Sequence, residues 1–291
     1  MQTAATSAEI WAEALPYIKK QKDSVLLIKI GGSTMIDKEV LTSILTDISL
    51  LKYLGIKPVV VHGGGPFITS ELEKLDIKAE FHRGMRKTPK KVMEMVKKVL
   101  VGQVNSMIVE HASTITDCRA AGLYGGDGNL IEAEKYRCDD GTDLGYVGRV
   151  KKINPGIVNS LLSSGYLPFI APVGVGENGS SYNINSDMAA SEIAAALKAD
   201  KFIVLTDVEG VMTEPGVKNS LIKFLSREQA KNMINRGSIS EGMIPKVKSC
   251  MQALKSGVNF SYILNGTRKH ILLQELLTGE RNGTMMKAGR D

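Results

Sequence analysis

Residues 59–66 read VVVHGGGP. Val59, Val60 and Val61 are β-branched, stiff at χ1 and suited to a buried strand. His62 follows, then Gly63, Gly64, Gly65 and Pro66. Three consecutive glycines lose more backbone entropy on folding than any other tripeptide, so the turn needs a compensating reason to exist. A stiff strand, a glycine turn and a helical stretch over 67–75 form the repeating unit of a parallel α/β sheet. Such sheets gather their ligands at the C-terminal ends of their strands.

The same grammar extends outward. Residues 25–30, VLLIKI, read as a buried strand that ends in Gly31, Gly32 and Ser33, with a helix over 38–54 leading to the first stretch. Further strands are expected at 167–171, 202–206 and 260–264, and helices at 89–113, 187–199, 226–236, 245–257 and 270–277. Residues 120–150 are glycine-rich and polar with short alternating runs, the pattern of a β-hairpin region. Alternating strands and helices imply a three-layer α/β/α sandwich with a mostly parallel central sheet. The softest division lies near 180–190, giving two lobes that share one sheet. At the front, residues 8–20 carry apolar side chains at helical spacing, interrupted by Pro16. This helix packs either on its own domain or on another subunit.

Composition narrows the class. The chain has 291 residues, 43% hydrophobic and 23% charged, with net charge +6 spread along its length. It has no basic block with interleaved aromatics, so nucleic acid is not expected as a partner. No apolar run reaches a membrane span, and the N-terminus lacks a signal-peptide pattern. Cys118, Cys138 and Cys250 are odd in number and scattered, which fits reduced thiols in the cytoplasm. They and His62, His82, His111 and His270 match no metal-ligand spacing, so no protein metal site is expected.

Several residue types at strand ends carry chemistry. The glycine turns after 25–30 and 58–62 let backbone N–H groups approach a phosphate, and they can face each other across one anion. Neither is the dinucleotide fingerprint or the P-loop. Lys29 lies in an apolar strand two residues before the first turn. It is either an edge residue reaching water or an ammonium aimed at a phosphate. Lys246 follows Pro245 at a helix start, where the dipole disfavours a cation unless an anion compensates. In YNINSD (182–187), Asn183, Asn185 and Asp187 share one face if extended, and Asp187 either caps the next helix or orients lysines. Arg86 can grip a carboxylate through its fork. Thr206 and Asp207 end another strand and suit a nucleotide.

In order, VLLIKIGGS, VVVHGGGP, GMRKT, GYLPFIAPVGVGENGSSYNINSD, VLTDVEGV and EGMIPKV resemble the N-acetyl-L-glutamate kinases of the amino acid kinase superfamily, over about residues 8–286. The resemblance implies transfer of the γ-phosphoryl group of ATP, with Mg²⁺, to the side-chain carboxylate of N-acetyl-L-glutamate, an acyl-phosphate step of arginine synthesis. It implies catalytic roles for Lys29, Lys246 and Asp187, with the two lysines also touching ATP. It places phosphoryl oxygens on the N–H groups of Gly32, Gly63 and Gly64. Gly64, Gly65, Arg86 and Asn183 then hold the acyl substrate, and Thr206 and Asp207 hold ATP. The corresponding division is an oligomerisation helix in 1–24, an acyl-substrate and dimerisation lobe in 25–186 and an ATP lobe in 187–291.

The N-terminal helix with Tyr17 resembles the extension of arginine-sensitive members, which links dimers into a hexamer. His270, Glu280 and Gly283 match that arginine site. The chain departs from the family pattern at Ile30, at Ser33 and Thr34, and over 122–128, where GLYGGDG lacks a lysine. At 281–284 it reads RNGT, and the missing first glycine is expected to crowd the loop and weaken arginine inhibition. The sequence carries no signal for or against a PII-type regulator. Two rival readings are a sister kinase acting on a carrier-bound aminoadipate and a non-catalytic sensor on the same fold.

Overall fold

The computed structural model describes residues 7–214, 217, 220–240 and 242–288. Residues 1–6 of the N-terminal segment, Glu241 of the EGMIPKV stretch and residues 289–291 lie outside the described residues.

The chain begins with α1 (Ser7–Gln21), β1 (Val25–Ile30), α2 (Lys38–Tyr53), β2 (Lys57–His62) and α3 (Gly65–Glu73). A hairpin of β3 (Phe81–His82) and β4 (Met85–Arg86) precedes α4 (Lys90–Lys97). A π-helical stretch over Lys98–Asn105 joins α4 to α5 (Ser106–Thr116). Then come β5 (Ala120–Tyr124), β6 (Ile131–Lys135), β7 (Val147–Ile153), α6 (Gly156–Ser163), β8 (Leu167–Ala171), β9 (Val173–Val175) and β10 (Ser181–Ile184). The remainder is α7 (Ser186–Ala196), β11 (Lys201–Thr206), α8 (Arg227–Asn235), α9 (Ile244–Lys255), β12 (Phe260–Asn265), α10 (Ile271–Leu277) and β13 (Thr284–Lys287).

The main sheet has the order β13-β12-β11-β1-β2-β8-β5. Every pairing is parallel except β12 with the edge strand β13. The chain leaves β1 towards β2 on one side and returns as β11 on the other. The strand order therefore reverses beside β1, where a doubly wound sheet opens its crevice.

Alternation along β1 sorts its side chains between two cores. Leu26, Ile28 and Ile30 pack with α2, α4, α5 and α10. Leu27 packs with α7 and α9 on the opposite face, and the period of two sends Lys29 to that same face. Val59 and Val61 of β2 also face α7 and α9, so His62 points to the α4–α5 side.

The 120–150 region differs from a plain hairpin. β5 joins the main sheet as its edge, beside β8. β6 and β7 do pair antiparallel, and with β9 and β10 they close a small four-stranded barrel. The YNINSD ladder is also corrected. The strand stops at Ile184, and Asn185, not Asp187, caps α7 by accepting from the N–H groups of Asp187 and Met188. Asp187 is released to the first helical turn, facing β1. Helix α6 and strand β13 were not anticipated.

Candidate active site

Two glycine turns meet at the switch point. The Gly63 N–H donates to Ile30 O at 2.9 Å, and the Gly31 N–H donates to Leu205 O at 3.2 Å. A Cβ on Gly32 would stand 2.8 Å from Pro66 Cδ, 3.2 Å from Gly65 N and 3.3 Å from Gly64 N. A Cβ on Gly63 would stand 3.0 Å from Gly32 N. Side chains at these positions would separate the turns, so glycine is what brings their backbone N–H groups to one place. No side chain caps the start of α3, whose positive dipole end faces the same place.

Lys29 is 4% exposed on a central strand, which removes the edge-strand reading. Its Nζ lies 2.8 Å from Asp187 Oδ1, a close ion pair without the alignment of a hydrogen bond. Asp187 is itself buried. Lys246, one residue after Pro245 in the first turn of α9, donates from Nζ to Gly242 O at 3.0 Å. Burial lowers the Lys246 pKa, against the pull of Asp187, and Lys29 lowers it further. The three residues thus share one electrostatic site. Asp207 sits beside it. Burial raises the Asp207 pKa, but its own N–H, the Ser33 and Thr206 side chains and Lys246 outweigh that and hold it below the usual value. Thr206 Oγ1 donates to Asp207 Oδ1 at 3.2 Å.

A cleft of about 380 Å³ opens on the barrel side of the turns, lined in part by Gly63, Gly64, Gly65, Arg86 and Asn183. Arg86 is buried and reaches in from β4. Its Nη2 donates to Gly65 O at 3.0 Å and to Thr69 Oγ1 at 2.7 Å, while Nη1 is buried with no partner. Burial lowers its pKa. A guanidinium nitrogen left unpaired at a cleft wall is costly unless a ligand oxygen completes it. Asn183 Nδ2 donates to Thr88 Oγ1 at 3.1 Å, and Thr88 Oγ1 donates to Arg86 O at 2.8 Å. A second cleft of about 280 Å³ lies beyond β11, lined by Asp207, Glu209, Met212, Ile239 and Asn265 among others.

Tyr17, His270, Glu280 and Gly283 lie around the ends of α10, apart from these clefts. A Cβ on Gly279 would meet the Tyr17 hydroxyl at 2.7 Å. His270 Nδ1 is 2.7 Å from Asp47 Oδ1. Glu280 is exposed, and a Cβ on Gly283 would stand 2.4 Å from Ile263 O.

Sequence reasoning missed His62 and Asn105 as site components. His62 is fully buried behind the glycine turn, and its Nδ1 lies 2.8 Å from Gly63 O. Its Nε2 lies 3.0 Å from Asn105 Nδ2, which also donates to Phe169 O. The available signal was a polar residue between Val104 and Ile108 on an otherwise apolar helix face. Glu209 and Asn265, joined at 2.8 Å, were missed because they sit on separate strand ends.

Glycine turns facing each other at a parallel-sheet switch point, with a buried Lys–Asp pair beside them, form a candidate phosphoryl-handling site. Residues 24–265 match the amino acid kinase family, and the chain belongs to that family. It is 45% identical to the acetylglutamate kinase of Halothermothrix orenii, over 98% of this chain and 99% of that protein. It is also 45% identical to the acetylglutamate kinase of Caldanaerobacter subterraneus subsp. tengcongensis, over 96% and 92%. Among solved structures, N-acetylglutamate synthase from Neisseria gonorrhoeae, complexed with coenzyme A and N-acetyl-glutamate, superposes with TM-score 0.88 at 26% identity. That match takes in 99% of this chain and 65% of the longer synthase chain. Carbamate kinase from Giardia lamblia bound to AMP-PNP has TM-score 0.67 at 15% identity over 92% of this chain and 99% of that one, a likeness of fold alone.

Proposed function

We propose that this chain transfers the γ-phosphoryl group of ATP to the side-chain carboxylate of N-acetyl-L-glutamate. The product is N-acetyl-L-glutamyl 5-phosphate, an intermediate of arginine biosynthesis. The observation that carries this reading is the unpaired, buried Nη1 of Arg86 in a cleft walled by the glycine turns. A buried guanidinium nitrogen there suits an anionic oxygen of the substrate, such as a carboxylate. The full-length similarity to acetylglutamate kinases supports the same substrate.

The mechanism follows from the geometry. A carboxylate is already a nucleophile, so no general base is required. Catalysis then reduces to alignment and charge neutralisation. Arg86 and Asn183 hold the α-carboxylate, with Gly64 and Gly65 against the acyl chain, which aims the side-chain carboxylate at phosphorus. The N–H groups of Gly32 and Gly64 receive the equatorial oxygens; that of Gly63, expected from the sequence to join them, is committed to Ile30 O at 2.9 Å, and Gly63 serves the cradle by bringing the two turns together. Lys29 and Lys246 balance the charge that builds as the phosphoryl group passes, and Asp187 fixes their positions. ATP occupies the cleft by Thr206 and Asp207. Magnesium enters with the nucleotide. Asp207, beside the nucleotide cleft and held below the usual carboxylate range, would be the residue nearest the ion, which would offset phosphate charge there.

The division at 186/187 assigns acyl binding to the first lobe and ATP to the second. We place the reaction in the cytoplasm. For assembly, Trp11 and Leu15 on α1 are 54% and 47% exposed, an apolar stripe suited to joining dimers into a hexamer. Arginine inhibition is weak, because Arg281 occupies the loop and directs its own guanidinium to buried Glu275 at 3.4 Å. Sedimentation of dimers only would remove the hexamer, and tight inhibition by arginine would remove the second statement.

The function is tested by hydroxylamine trapping with ATP and Mg²⁺ over N-acetylglutamate, glutamate, aspartate and 2-aminoadipate. Hydroxamate from N-acetylglutamate alone is expected. No product from folded protein would return the weight to a carrier-bound substrate or a sensor.

A further inference from the structure

The β3–β4 hairpin and the β6–β7 connection meet at the rim of the acyl cleft. Arg83 and Gly84 both have positive φ, 49° and 78°, the signature of a two-residue type I′ turn. That turn fixes the direction of His82, the residue before it. His82 Nε2 lies 3.0 Å from Asp140 Oδ2 in the β6–β7 connection. Cys138, two residues earlier, brings its Sγ to the same place. Among the described residues, His82, Cys138 and Asp140 form a group whose nitrogen, sulfur and oxygen donors all lie within 4.8 Å of one another. The phosphoryl chemistry uses none of them.

We infer that His82, Cys138 and Asp140 form a zinc site that takes one Zn²⁺ per chain, with water in the fourth position. The donor set selects the metal. Imidazole, thiolate and carboxylate together suit a borderline-soft cation, whereas magnesium and calcium call for oxygen alone. Ligand atoms of a tetrahedral zinc centre stand roughly 3.5 Å apart at the usual bond lengths, so the cluster closes by side-chain movement of about an ångström. The thiol proton leaves to solvent as the Zn–S bond forms, and the proton that His82 Nε2 shares with Asp140 moves to Nδ1 by exchange with water, which frees the Nε2 lone pair for the metal.

The surroundings are already organised for this. The Thr142 N–H donates to Asp140 Oδ1 at 3.1 Å, which orients the carboxylate and leaves Oδ2 for the metal. Arg83 Nη2 holds Oδ2 at 3.1 Å, but its side chain is 62% exposed and can swing to solvent as a stronger cation arrives. Cys138 is half-buried, whereas Cys118 and Cys250 are buried, so it is the accessible thiol of the three. The clip would tie the hairpin that carries Arg86 to the loop leading into β7, fixing one side of the cleft mouth.

The test uses tag-free full-length protein, stripped by chelator and titrated with Zn²⁺ in the absence of nucleotide. One equivalent is expected to bind. Co²⁺ in its place should give a thiolate-to-cobalt charge-transfer band in the near ultraviolet. Cys138→Ser should abolish that band, and His82→Ala should weaken zinc binding at least tenfold, with the metal-free melting temperature unchanged in both. Absence of stoichiometric zinc uptake by the parent protein would overturn the inference, as would a Cys138→Ser variant that keeps the band or binds zinc as tightly.

Discussion

Asn105 donates from Nδ2 to Nε2 of the buried His62 at 3.0 Å, and this bond decides which imidazole nitrogen carries the proton. The amide nitrogen has no lone pair to offer, so Nε2 accepts and Nδ1 is the protonated atom. Nδ1–H then donates to Gly63 O at 2.8 Å. The peptide between Gly63 and Gly64 is planar and trans, so turning its carbonyl towards His62 turns the Gly64 N–H the opposite way, towards the cleft. His62 and Asn105 therefore position the glycine turn, the proposed phosphoryl cradle, from behind.

The buried imidazole gives stability a pH dependence. Burial pushes the His62 pKa from 6.5 down to about 4, with the Gly63 carbonyl opposing it. The unfolded chain therefore binds a proton that the folded chain refuses between those values. Stability is fully present above about 6.5 and falls as pH drops towards about 4, by roughly 3 kcal/mol in all. Denaturant unfolding of the parent and His62→Gln between neutral pH and about pH 4.5 should give a shallower slope for the variant. Parallel slopes would contradict this account.

Replacing Lys29 separates catalysis from binding. The ammonium sits 2.8 Å from Asp187, and in the proposed mechanism it contributes most when charge develops on the transferring phosphoryl group. Lys29→Ala should lower kcat by about 10²–10³ with a much smaller change in KM for either substrate. A preserved kcat in folded variant would remove Lys29 from phosphoryl stabilisation.

The proposed function has Arg86 act on the acidic substrate alone. Its unpaired Nη1 awaits an oxygen in the acyl cleft. Arg86→Gln should raise KM for N-acetylglutamate at least tenfold and leave KM for ATP within about twofold, since a charged hydrogen bond is worth about 1.5–3 kcal/mol. A shift confined to ATP would reassign the residue.

Gly122 makes room for the positioning amide. A Cβ there would stand 2.0 Å from Asn105 Oδ1. Gly122→Ala should cost about 2 kcal/mol of stability by overpacking. It should also lower kcat, because displaced Asn105 frees the His62 ring. An unaffected melting temperature would show that the helix can yield around the methyl group.

Much of the sheet was legible because its strands are largely apolar runs, and three of them, 25–30, 58–62 and 202–206, end in glycine turns or in Thr206 and Asp207. Gly31–Gly32 and Gly63–Gly65 could be read as facing turns because both follow adjacent strands. β13 was hidden because TMMK is short and pairs antiparallel at an edge, where the neighbouring strand supplies the ladder. Asp187 was legible as a residue and not as a position, since choosing between Asn185 and Asp187 as the cap depends on where β10 ends. The His62–Asn105 bond and the His82–Cys138–Asp140 cluster join segments distant in sequence, and no local spacing announces either.

The central claim is that a substrate carboxylate, not water, attacks the γ-phosphorus. It is tested by supplying N-acetylglutamate labelled with oxygen-18 in its side-chain carboxylate, trapping with hydroxylamine and analysing the released phosphate. Hydroxylamine attacks the acyl carbon and expels phosphate with the bridging oxygen, so each phosphate should carry one labelled oxygen. Phosphate without label, formed at the rate of ATP consumption, would mean that water is the nucleophile and would contradict the account.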